Sequence, residues 1–255
     1  MQELLETPAG HAAVRRIGTG GQQGRILIVP PFGIPARTLS FVADQLAERG
    51  YEACLLDVRN HVGDGSGTMH DYQLSAVVDD CRNAIRRYEP TGVIGLSLGG
   101  RALLRATATS GLHPHAVLLI PVVNLRSTLT EVLGRDLYLE PEVPEFHPVL
   151  GHSVRSRPFL DDALHHGLLS PEGTAHDLAT LTGTTTLFPL DGDQWVDVQE
   201  VQRVSDCAQL QGARITTTAM AGNEHELHKH PELALRMIAA AVEEIDRLHQ
   251  LQPAV

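Results

Sequence analysis

At 255 residues, 42% of them apolar and 20% charged, the chain has the length and composition of a globular domain with a core of its own. A formal charge of −11 argues against a nucleic-acid partner, because phosphate neutralisation needs a basic face. No apolar stretch approaches the ~18 residues that a membrane span requires.

In chain order, the acidic opening Met1-Gln2-Glu3-Leu4-Leu5-Glu6 has no basic segment leading into an apolar one, which argues against a signal peptide. Cys54, Cys81 and Cys207 are too widely spaced for a disulfide framework or a metal motif, so the cytoplasm is the expected location. Arg25–Val29 is a β-branched run stopped by Pro30-Pro31 and reads as a buried strand entering a loop. Thr38–Arg49 has apolar residues at helical spacing and stops at Gly50. Tyr51–Leu56 is the next strand, and Leu74–Tyr88 the next helix. Thr91–Ile94, Ala116–Ile120, Thr184–Phe188 and Arg214–Thr218 follow as strands, and a C-terminal helix runs from about Pro231 to Leu248. Strands alternating with helices, several of them wholly apolar, imply an α/β fold with a mostly parallel central sheet covered on both faces. The expectation is one domain over residues 1–255. The alternation breaks down across residues 121–180, a proline-rich stretch that reads as a cap of short helices inserted over the site. The pairs Arg86 with Arg87, Arg101 with Arg105, and Arg155 with Arg157 each read as solvated surface.

The chemistry concentrates at Gly95-Leu96-Ser97-Leu98-Gly99, a Gly-x-Ser-x-Gly pattern between a strand and a helix, the context of a nucleophile elbow. A serine on so sharp a turn needs neighbours almost free of side chain, and Gly95 and Gly99 are such neighbours. Ser97 as a nucleophile needs a base and a group to orient that base, in chain order serine, acid, histidine. Asp193 follows Gly192 after the Thr184–Phe188 strand and is preferred as the acid, with Asp191 as its rival. His225 comes just after Gly222 beyond the last strand, whereas His228 and His230 sit further into the loop. Those histidines with Glu224 or Glu226 could be read as a metal site, but the spacing matches no His-Glu zinc motif, and no metal or cofactor is expected. An oxyanion hole needs two backbone N–H groups, one from the residue after the nucleophile, Leu98, and one from the loop after the early strand. Pro30 and Pro31 have no N–H, so Phe32 is the first available donor. Asp57 and His61 lie at another strand end; Asp57 reads as a structural carboxylate, and His61 as a packed imidazole, or one that supports the site from behind its contact residues, rather than a catalytic one.

These residues resemble the acyl transferases of bacterial bioluminescence systems, the myristoyl-acyl-carrier-protein thioesterases that release fatty acid for luciferase. Asp57-Val58-Arg59-Asn60-His61-Val62-Gly63 is similar to that family's Tyr-Asp-Ser-Leu-Asn-His-Val-Gly segment, and Val122–Leu129 is similar to its Val-Asn-Leu-Arg-Asp-Thr-Leu stretch. Asp193-Gln194-Trp195-Val196 is similar to an Asp-Asp-Trp-Val segment carrying the family's triad acid. Gly222–Leu227 is similar to a Gly-Ser-Ser-His-Asp-Leu segment carrying its histidine. The elbow departs, reading Gly-Leu-Ser-Leu-Gly where the family has Ala-Ser-Ser-Leu-Ser. The resemblance implies an α/β-hydrolase fold and favours Ser97, Asp193 and His225 over their local rivals. It also implies a covalent acyl-serine intermediate formed from an acyl thioester, carried on coenzyme A or an acyl carrier protein. Arg155 and Arg157 are then the candidate contact for an acidic carrier. A carboxylesterase or lactone hydrolase, and a non-catalytic ligand-binding protein on the same scaffold, are the competing readings.

Overall fold

The computed structural model of the chain describes residues 1–18 and 21–251. In chain order its elements are β1 (Gln2–Thr7), β2 (Gly10–Ile17), β3 (Arg25–Val29), α1 (Ser40–Glu48), β4 (Glu52–Asp57), α2 (Leu74–Tyr88), β5 (Gly92–Leu96) and α3 (Ser97–Ser110). They continue with β6 (His115–Leu119), α4 (Leu125–Leu133), β7 (Phe146–Val149), β8 (His152–Arg155), α5 (Ser156–His165) and α6 (Pro171–Thr180). The last four are β9 (Thr185–Phe188), α7 (Val198–Gln209), β10 (Ile215–Thr217) and α8 (Pro231–Gln250). Eight strands form one sheet in the order β1-β2-β4-β3-β5-β6-β9-β10. Its pairs from β4 to β10 are parallel, and β1 and β2 add antiparallel at the edge.

The apolar runs in the strands follow from this layering. Ile26 and Ile28 of β3 pack on one side with Val42 and Leu46 of α1 and Met237 and Val242 of α8. Leu27 and Val29 point the other way, into a core shared with Val77 of α2, Leu103 of α3, Leu178 of α6 and Val201 of α7. Neither face of such a strand meets water, so neither face carries a polar residue. Helix ends follow local chemistry. Gly111 closes α3 and Gly134 closes α4 in the left-handed region, while Ser170 caps α6 ahead of Pro171.

Three features differ from what the sequence suggests. Residues 1–17 form the hairpin β1–β2, although no element is legible there. β1 is an edge strand whose residues alternate between exposed and half-buried, but its sequence sets Leu4 and Leu5 side by side among polar residues, so no apolar alternation marks it. The segment between β6 and β9 contains a two-stranded hairpin, β7–β8, besides its helices. Pro148 disguises it, and is tolerated because a two-stranded ribbon leaves an edge where no N–H is needed. Arg101 is not solvated surface. Its side chain is wholly buried, with Nη1 donating to Asp177 Oδ2 at 2.7 Å and Nη2 to the Gly167 carbonyl at 3.3 Å. Arg105 Nε reaches the other oxygen of Asp177 at 2.6 Å, so one carboxylate of α6 ties down two turns of α3.

Candidate active site

Ser97 is the first residue of α3 and holds a φ of +48°, a region that non-glycine residues rarely occupy. The tight turn exists because its neighbours have no Cβ. One on Gly99 would collide with the Pro30 carbonyl, and one on Gly95 would lie 2.6 Å from Gly100 Cα. The elbow is thereby pressed against the loop that follows β3.

The other two residues arrive on loops that are laced together. Beyond β9 and β10 the chains continue side by side. Met220 N–H donates to Pro189 O at 2.8 Å, Asp191 N–H to Met220 O at 3.0 Å, and Gly192 N–H to Gly222 O at 2.9 Å. Asp191 accepts the Gly222 N–H at 3.1 Å, so its carboxylate staples the two loops. Asp193 Oδ1 accepts the Trp195 and Val196 N–H groups at 2.9 and 3.1 Å, and its Oδ2 lies 2.7 Å from His225 Nδ1. His225 Nε2 lies 2.7 Å from Ser97 Oγ. A carboxylate can only accept, so Nδ1 carries the proton and Nε2 presents its lone pair to the serine hydroxyl. All three side chains are buried, and the Trp195 ring lies 4.9 Å from that of His225.

Ser97, His225, Trp195 and Phe32 line one cavity of about 620 Å³, otherwise mostly apolar through residues such as Leu39, Ile120, Leu150, Leu227 and Ile238. Its size suits a small organic ligand or acyl group. Leu98, in the first turn of α3, has an N–H with no acceptor within the helix. His152, at the tip of the β7–β8 hairpin, sits over Phe32 with ring centroids 5.9 Å apart. Sequence reasoning passes over His152 and Trp195. The Leu150-Gly151 turn is the signal that places the first, and the second stands two residues after the candidate acid.

His228 and His230 are drawn off by carboxylates, Glu226 at 3.9 Å and Glu224 at 3.5 Å. Among the described residues no three His, Cys, Asp or Glu side chains converge as metal ligands. Arg155 pairs with Asp71 at 3.0 Å with both side chains half exposed, and Arg157 is exposed on α5; neither lines the cavity. Burial pushes the His61 imidazole down to about 4 and raises the Asp57 carboxyl against the pull of two backbone N–H groups.

Solved structures similar to this chain include a monoacylglycerol lipase of Paleococcus ferrophilus. It is 16% identical with a TM-score of 0.71, covering 96% of this chain and 99% of that one. A thioesterase domain from the curacin biosynthetic pathway is 15% identical with a TM-score of 0.64, covering 96% of this chain and 98% of that one. The architecture they share with it is the α/β-hydrolase fold. Among curated relatives, an acyl transferase of Photobacterium leiognathi is 30% identical over 196 residues, 73% of this chain, and the match spans 60% of that relative's length. The sequence pattern described as Acyl transferase matches residues 20–242, and the chain belongs to that family.

Proposed function

We propose that the chain is a serine acyl hydrolase or acyltransferase that takes an acyl group from a thioester onto Ser97. The observation that carries this reading is the relay Ser97 Oγ, His225 Nε2, His225 Nδ1, Asp193 Oδ2, with 2.7 Å at each of its hydrogen bonds. His225 takes the hydroxyl proton as Ser97 Oγ bonds to the acyl carbon, and Asp193 holds the imidazolium that forms. The carbonyl oxygen becomes an oxyanion held by the N–H groups of Leu98 and Phe32. Collapse breaks the carbon–sulfur bond, and the proton on His225 passes to the departing thiolate. Water or another acceptor, deprotonated by the same imidazole, then attacks the acyl-serine and frees the enzyme. The cap spans residues 121–180, with the β7–β8 hairpin as the part that overhangs the cavity.

Intact-mass spectrometry after brief mixing with a panel of acyl-coenzyme A thioesters tests the reading. One acyl group should add to the wild type and none to Ser97→Ala; an adduct that survives in Ser97→Ala would remove the serine from the mechanism.

Delivery on an acyl carrier protein is the finer reading, with Arg155 and Arg157 meeting the carrier's acidic surface. Reversing both to Glu should raise KM for a carrier-bound acyl group about 3- to 10-fold, in line with a few exposed charge contacts. KM for a short acyl-coenzyme A should stay the same, and equal changes for both substrates would refute the docking site.

A further inference from the structure

We propose that His61 is a positioning residue of this reaction centre: its Nε2 holds the Gly33 N–H and so aims the neighbouring Phe32 N–H at the acyl oxygen. The inference rests on the reading of Ser97 as the acyl nucleophile.

The hydrogen bonds of the loop single out Phe32. Between residues 30 and 36 the three prolines Pro30, Pro31 and Pro35 have no N–H, which leaves four donors. Gly33 N–H donates to His61 Nε2 at 2.8 Å, Ile34 N–H to the Pro31 carbonyl at 3.3 Å, and Ala36 N–H to Asp57 Oδ1 at 2.7 Å. Among the described residues the Phe32 N–H finds no acceptor, and Phe32 lines the cavity beside Ser97. A buried donor left open in a loop whose other donors are all tied is what an oxyanion site requires.

The two anchors come from the end of β4 and the turn after it. Asp57 Oδ2 also accepts the Asp64 N–H at 3.2 Å, which fixes that turn. His61 Nδ1 donates to the Val62 carbonyl at 3.1 Å, so the tautomer is set and Nε2 is the acceptor. The imidazole is buried against the rings of Phe32 and Tyr72, with centroids 6.1 and 5.6 Å away. Burial that keeps it neutral also keeps it an acceptor, since a protonated ring would turn an N–H toward the Gly33 N–H. Gly33 itself sits at φ +76°, in a turn that the Ile34 N–H closes on the Pro31 carbonyl, and the His61 bond anchors the central peptide of that turn.

The test compares His61→Leu, which fills the space without an acceptor, with His61→Gln, which restores one. With p-nitrophenyl butyrate as probe, His61→Leu should lower kcat about tenfold with KM within twofold, and weaken inhibition by butylboronic acid about tenfold. His61→Gln should recover both to within threefold of wild type. Hydrogen exchange of the Gly33 amide should quicken at least tenfold in His61→Leu and not in His61→Gln. Equal losses in the two variants, or a wild-type kcat in His61→Leu, would overturn the positioning role while fluorophosphonate still labels Ser97. A wild type that fluorophosphonate fails to label would bring down the acyl-serine reading and this inference with it.

Discussion

Asp193→Asn is expected to lower kcat by about 10⁴-fold while leaving substrate affinity nearly unchanged. The reason is the tautomer. Asp193 Oδ2 fixes the proton on His225 Nδ1, and an amide at that position can donate its own N–H instead. The ring would then carry its proton on Nε2 and could no longer accept from Ser97 Oγ. Oδ1 has a second duty, holding the Trp195 and Val196 N–H groups, and the Asn carbonyl can keep those bonds, so the loop should stay folded. Ser97→Ala is expected to cost roughly 10⁶-fold, and adding Asp193→Asn to it should change little, because members of one relay are not additive. Single-turnover kinetics on an acyl-coenzyme A measures both. An Asp193→Asn enzyme within tenfold of wild type would transfer the orienting role to another carboxylate.

Asp177→Ala is expected to destabilise the fold by about 3–5 kcal/mol, because it leaves the buried Arg101 guanidinium without its counter-ion. Arg101 is wholly buried, and burial pulls its pKa downward despite Asp177. Its Nε lacks a hydrogen-bond partner among the described residues, and the acceptor left to its Nη2, the Gly167 carbonyl, is neutral. Arg105 is partly exposed and can turn to water, so the penalty falls mainly on Arg101. Replacing both members with apolar residues, Arg101→Met with Asp177→Leu, should recover most of the loss. Urea denaturation followed by circular dichroism reads the difference, and a cost below about 1 kcal/mol for Asp177→Ala would show that the pair is not desolvated as described. The same carboxylate joins α6 to the helix that begins at Ser97, so the destabilised variant should also lose activity at temperatures where it is still folded.

Much of the scaffold is legible in the sequence because its signals are local. Ile26 to Val29 and Val93 to Leu96 are apolar on both faces, and only a strand covered on both sides needs that. Leu74–Tyr88 repeats at helical spacing and is observed over those same residues. The β7–β8 ribbon is hidden by Pro148, and β1 by its adjacent Leu4 and Leu5 among polar residues, so neither shows an apolar alternation in sequence. The candidate site is legible only in part. Turn chemistry at Gly192 favours Asp193 over Asp191 but leaves both in play; in the structure the Asp193 carboxylate lies 2.7 Å from His225 Nδ1, while that of Asp191 accepts the Gly222 N–H.

By itself, the sequence determined that a serine would stand on a glycine-flanked turn between strand and helix, and that an acid and a histidine would follow later strands. Patterns of burial and of backbone permissiveness are written residue by residue, and they survive without knowledge of neighbours. Only the tertiary structure decided that Arg101 is buried, that His61 holds Gly33 across 28 positions of chain, and that the Phe32 N–H has no acceptor among the described residues. Each of those depends on which distant backbone or carboxylate comes within 3 Å or so, a distance that hydrogen bonding demands and composition does not encode.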